Sequence, residues 1–130
     1  MKKSDVEVIE HKTVFQGYFR VDQYKLRHKR FEGGMTDIMT REIFERGHSC
    51  IVLLYDPDLD QVVLVEQFRP GVLAATASPW FPNDYAPWLI EAVAGIIEEG
   101  ESPDDVARRE VKEETGCELL DMMPLNQFFI

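Results

Sequence analysis

The stretch Gly95 to Gly116, GIIEEGESPDDVARREVKEETG, constrains this chain more than any other. Glu110, Glu113 and Glu114 stand at i, i+3 and i+4. On a helix that spacing puts all three carboxylates on one face, within a turn of each other. Like charges so placed repel, and the last helical turn already carries partial negative charge from the macrodipole. A surface helix gains nothing from this. A divalent cation turns the repulsion into coordination, because Mg²⁺ takes hard carboxylate oxygens and keeps waters for substrate phosphates.

Local signals predict the helix over 103–115. Ser102 is a good N-cap, Pro103 suits the first helical position, and Asp105 stands where a capping-box acid belongs. Gly116 suits a left-handed C-terminal cap. Val106, Ala107 and Val111 lie beside the glutamate face, so the carboxylates border the core, while Arg108 and Lys112 point to water. The segment 86–94 ends a β-like run, and Gly95 allows a turn that brings backbone close to the cation.

The charge is unevenly spread. The net charge is −10 over 130 residues, and residues 91–130 hold 11 acids against 3 bases. An acidic site repels phosphates unless a cation is bound, and the same balance argues against a nucleic-acid partner. Cys50 and Cys117 are far apart and in no metal-ligand spacing, which suits a reducing cytoplasm. The N-terminus MKKSDVEVIE has no apolar signal region, and no run approaches transmembrane length. Length bounds the chain to one domain.

Strands are expected at 6–15 and 18–28, broken near Gly17, and at 36–45. The apolar run 49–56 is expected to pair with 61–69 as a hairpin across the turn DPDLD. Residues 70–87 hold four prolines together with Trp80, Phe81 and Tyr85, and are expected to form an ordered loop for binding or dimer contact. Lys25, Arg27, Lys29 and Arg30 alternate as the solvated face of an edge strand. No role is assigned to His11, His28 or His48.

The pattern Gly95, Glu101, Arg109-Glu110, Val111, Glu113-Glu114, Gly116 resembles the signature of the Nudix hydrolases. A chance match at these eight positions is on the order of one in ten million. The signature's last aliphatic position is Cys117, which packs as a small hydrophobe. The resemblance implies an α+β chain: an α/β/α sandwich with a mixed sheet. It implies hydrolysis of a diphosphate with Mg²⁺, or Mn²⁺ in its place. Glu110, Glu113 and Glu114 would be catalytic and hold the metal, with the Ala94 carbonyl as a further ligand. Gly95, Glu101, Arg109 and Gly116 would be structural supports, Arg109 and Glu101 as an ion pair.

TREIFERGHSCIVLL (40–54) and VVLVEQFRP (62–70) are similar to the bacterial ADP-ribose pyrophosphatase branch of that family. This implies an N-terminal antiparallel β subdomain over 1–46, swapped across a homodimer, and a catalytic domain over 47–130. Arg41 and Glu42 would reach the adenosine end of substrate, Arg69 the diphosphate, and Tyr18 the adenine ring. Bland readings stand beside these: a cross-strand ion pair for Arg41 and Glu42, a surface arginine for Arg69, a core aromatic for Tyr18. The implied reaction takes ADP-ribose to AMP and ribose 5-phosphate. Alternatives are another nucleoside diphosphate sugar or a non-catalytic nucleotide-sugar sensor.

Against the branch, the chain is expected to lack the C-terminal part of the fold, because only one strand follows the box helix and QFFI is a poor native terminus. The branch's general base, a glutamate beyond Ile130, would then be absent. The 130-residue form is expected to bind metal but hydrolyse slowly or not at all.

Overall fold

The computed structural model describes residues 1–75, 78–80 and 85–129. The chain divides into two compact units, Met1–Gly47 and His48–Ile130.

The first unit is a three-stranded antiparallel meander of β1 (Val6–Gln16), β2 (Arg20–His28) and β3 (Met39–Glu45), in that order. Two register shifts bend β1, between Val8 and Glu10 and between Thr13 and Phe15. The expected second strand starts two residues late, because the turn takes Gly17 to Phe19, with the Gly17 N–H donating to the Phe19 carbonyl at 2.9 Å. The third strand starts at Met39 and not at 36, after a turn in which Gly33 and Gly34 have φ of 94° and 74°. Asp22, on the central strand, is the one buried charged residue among those described. It accepts from the Thr13 hydroxyl at 2.7 Å and from Arg20 Nε at 3.0 Å. These contacts, the Thr13 hydrogen bond foremost, hold its carboxyl below the ordinary value.

The second unit runs β4 (Ser49–Val52), β5 (Leu54–Asp56), β6 (Gln61–Val63), β7 (Val65–Phe68), α1 (Pro70–Ala75), β8 (Trp88–Glu91), β9 (Val93–Ile96) and α2 (Pro103–Thr115). All described strand pairs are antiparallel: β4 with β9, β5 with β6, β7 with β8. Helix and strand packing of this kind is α+β.

The long hairpin expected from 49–56 and 61–69 survives only at its tip, where β5 pairs β6 around a turn that Asp56 closes by accepting from the N–H groups of Asp58 and Leu59. Below the tip the two arms part at Leu53 and Leu64, and each takes another partner. A continuous apolar run has no polar alternation to pin one register, so either pairing satisfies its faces. The loop expected over 70–87 opens with the six-residue helix α1; Phe81 and Pro82 lie outside the described residues. The strand expected after α2 is absent from the described residues up to Phe129.

Helix α2 packs on β9 and β4. Val93 and Val111 are fully buried with Leu54, and Val52, Val65 and Leu119 close around them. Val106 and Ala107 are also buried. Each fully buried valine contributes about 1.5–3 kcal/mol. This contact fixes which face of α2 meets the strands, and so where the glutamates stand.

Candidate active site

Helix α2 begins and ends where its caps require. The Ser102 hydroxyl accepts from the Asp105 N–H at 3.2 Å, and Asp105 Oδ2 accepts from the Ser102 N–H at 2.9 Å. At the other end Gly116 adopts φ 72° and its N–H donates to the Lys112 carbonyl at 3.0 Å. The expected boundaries therefore hold, and Glu110, Glu113 and Glu114 fall in the last two turns.

The loop from β9 into α2 is tied to the helix by Arg109. Its Nε donates to Glu101 Oε1 at 2.8 Å and its Nη2 to Glu101 Oε2 at 3.0 Å. The Nη2 also reaches the Ile96 carbonyl at 3.3 Å. Nη1 donates to Glu110 Oε1 at 2.6 Å and lies 3.6 Å from Glu113 Oε2. The Arg109 hydrogen bonds hold the Glu101 carboxyl below its ordinary value, helped by the Glu98 N–H. Glu101 and Glu110 in turn hold the guanidinium proton more firmly than usual. One arginine thus relieves part of the repulsion that the sequence pattern implies.

Gly95 lies on β9 against this group. A Cβ built there would overlap the Cγ, Cδ and Oε1 of Glu110. Only the missing side chain lets the Glu110 carboxylate lie over the strand. Ala94, its neighbour, pairs with Ile51 across β4.

Glu114 is held from the opposite side. Gln67 on β7 donates from Nε2 to Glu114 Oε1 at 2.5 Å. The other oxygen, Oε2, is buried and has no hydrogen-bond partner among the described residues. Such an atom costs about 1–3 kcal/mol in lost solvation. Glu113 is largely exposed. Among the described residues, no group of three carboxylate, histidine or cysteine side chains is gathered to hold a metal ion as it stands. The donor set nonetheless fits a hard divalent cation: an orphaned buried carboxylate oxygen, two further carboxylates on the same face, and a glycine cradle beside them.

Arg69 follows β7 and forms a two-pronged pair with Glu91 at the end of β8, at 2.7 and 2.8 Å. This pairing holds Glu91 below its ordinary value and raises Arg69, to which the Glu114 charge also contributes. Arg69 was expected at a diphosphate, and neither Gln67 nor Glu91 stood out in the sequence. The remaining expected residues belong to the first unit. Tyr18 is 87% exposed and meets Phe19 edge-on, so the core reading of it does not hold. Arg41 and Glu42 are neighbours on β3 and so point to opposite faces. Arg41 donates to the Thr40 carbonyl at 2.8 Å, and Glu42 accepts from Gln23 at 3.4 Å.

The NUDIX domain family matches residues 45–129. The chain is 47% identical over 126 residues to the ADP-ribose pyrophosphatase of Escherichia coli strain K12, covering 97% of this chain and 56% of that protein. It is 37% identical over 121 residues to the ADP-ribose pyrophosphatase of Haemophilus influenzae, covering 92% and 53%. It is 33% identical over 115 residues to the GDP-mannose pyrophosphatase of Yersinia pestis, covering 88% and 53%. The chain spans about half the length of the curated relatives it matches.

Proposed function

The chain belongs to the NUDIX domain family, and on that premise we propose that α2 carries the cation-binding face of a nucleoside diphosphate sugar hydrolase, with ADP-ribose as substrate. This reading rests on Glu114 Oε2, which is buried without a partner among the described residues, on a helix face that already holds Glu110 and Glu113. In this reading Glu110, Glu113 and Glu114 hold Mg²⁺, with Mn²⁺ as a substitute and the Ala94 carbonyl as a further donor. When bound, the cation supplies neutralisation of the diphosphate and activation of a water.

The other residues bind and orient. Arg109 fixes the Glu110 carboxylate and, through Glu101, the loop above it. Arg69 presents a guanidinium whose fork matches phosphate oxygens as well as it matches Glu91. Tyr18 offers an exposed ring for adenine, and Arg41 and Glu42 offer a donor and an acceptor for the adenosine end. In our reading Arg41 and Glu42 act across a homodimer. Exposed Ile43, Phe44 and Phe15 on the first unit's sheet favour such an assembly. The two free cysteines favour the cytoplasm. No described helix is long and apolar enough to cross a membrane.

Similarity to GDP-mannose pyrophosphatase motivates a second reading, that another nucleoside diphosphate sugar is preferred. A non-catalytic sensor is disfavoured because all three glutamates are retained. The test is kcat/KM for ADP-ribose and for GDP-mannose in Mg²⁺. We expect ADP-ribose to be preferred, with AMP and ribose 5-phosphate as products. Preference for GDP-mannose overturns the substrate assignment.

A further inference from the structure

We propose that Gln67 is a positioning residue for the cation site: it fixes the Glu114 carboxylate by one oxygen and so leaves the other as a pre-set donor. This rests on the reading of Glu114 as a cation ligand. Along β7, Val65 and Gln67 are half-buried while Glu66 and Phe68 are exposed, so Val65 and Gln67 share one face. Val65 packs on the core that contains Val111. Gln67 is two residues beyond Val65, about 6–7 Å along the strand, and Glu114 is three beyond Val111, about 4.5 Å along the helix. The packing of Val65 on that core therefore carries Gln67 to Glu114, where its Nε2 donates to Oε1.

The chemistry of the amide suits this task. It donates a hydrogen bond without charge, so it restrains the carboxylate and leaves its negative charge for a cation. A lysine there would neutralise that charge, and a glutamate would repel it. Because the amide engages Oε1 alone, Oε2 stays buried without a partner among the described residues. Outer groups that orient a ligand typically set about 10–100-fold in metal affinity.

The competing role is a tie between β7 and α2 that only supports the fold. Titration with Mn²⁺, read by the paramagnetic resonance of the free ion, separates the two. The variants are Gln67→Leu, Gln67→Met, Glu114→Gln and the double variant Gln67→Leu/Glu114→Gln, each with a thermal melt to establish that it is folded. Both Gln67 variants should weaken Mn²⁺ binding about 10–100-fold while folded. In the Glu114→Gln background, Gln67→Leu should add no more than about twofold, because its effect passes through Glu114. Binding by folded Gln67→Leu and Gln67→Met within about twofold of the parent, with Glu114→Gln weakened, overturns the positioning role alone. So does an equal loss in both backgrounds. Parental binding by Glu114→Gln overturns the ligand reading and this inference together.

Discussion

Arg109 and Glu101 face each other through two parallel hydrogen bonds, Nε to Oε1 at 2.8 Å and Nη2 to Oε2 at 3.0 Å. Eight residues separate them, so the pair closes the loop between β9 and α2 and leaves Nη1 free for Glu110. A lysine at 109 would keep the charge but lose the fork, and with it the simultaneous hold on loop and carboxylate.

That pair makes stability depend on pH in one direction. Folding lowers the Glu101 pKa from its ordinary 4.5, as Arg69 does for Glu91. A carboxylate with a lowered folded pKa stabilises above its unfolded value, and the stabilisation is lost as pH falls through the folded value. The melting temperature of the chain should therefore hold at neutral pH and fall below about pH 4.5. Glu101→Gln should melt lower than the parent at pH 7, and the gap should close in acid. Melts across pH 3–7 check this; a gap that does not change with pH contradicts it.

Gly95→Ala should separate site from fold. Gly95 is outside the left-handed region, so alanine brings no backbone strain. Its Cβ would displace the Glu110 carboxylate from its place beside Arg109. We expect a melt close to the parent's and Mn²⁺ binding weakened by about tenfold or more. Parental affinity would mean that Glu110 is not held over the strand for a cation.

Ser102→Ala removes the N-cap of α2 and leaves one donor of the first turn unsatisfied. The expected loss is about 1 kcal/mol, measured by urea unfolding. Ser102→Asp should restore most of it, because aspartate caps as well as serine.

Helix α2 was legible because its signals are local. Ser102, Pro103, Asp105 and Gly116 mark its ends within a few residues of chain, and the three glutamates follow from the 3.6-residue repeat. The strand pairing was less so. SCIVLLYD reads equally well in two registers, and only packing decides that β4 pairs β9 while β5 pairs β6. Gln67 was missed for a related reason. Its partner is 47 residues away, and the sole local hint is a polar residue two positions beyond the inward Val65. Glu91 is the same case, a carboxylate at a strand end whose partner Arg69 is met only when β7 and β8 pair.

The most direct test of the whole account is release of AMP from ADP-ribose by the parent chain and by Glu114→Gln, each in Mg²⁺ and in a chelator. We predict slow release by the parent chain that requires Mg²⁺ and falls by about a hundredfold or more in the variant. Equal release in the chelator, or undiminished release by Glu114→Gln, would contradict a cation site on the glutamate face of α2.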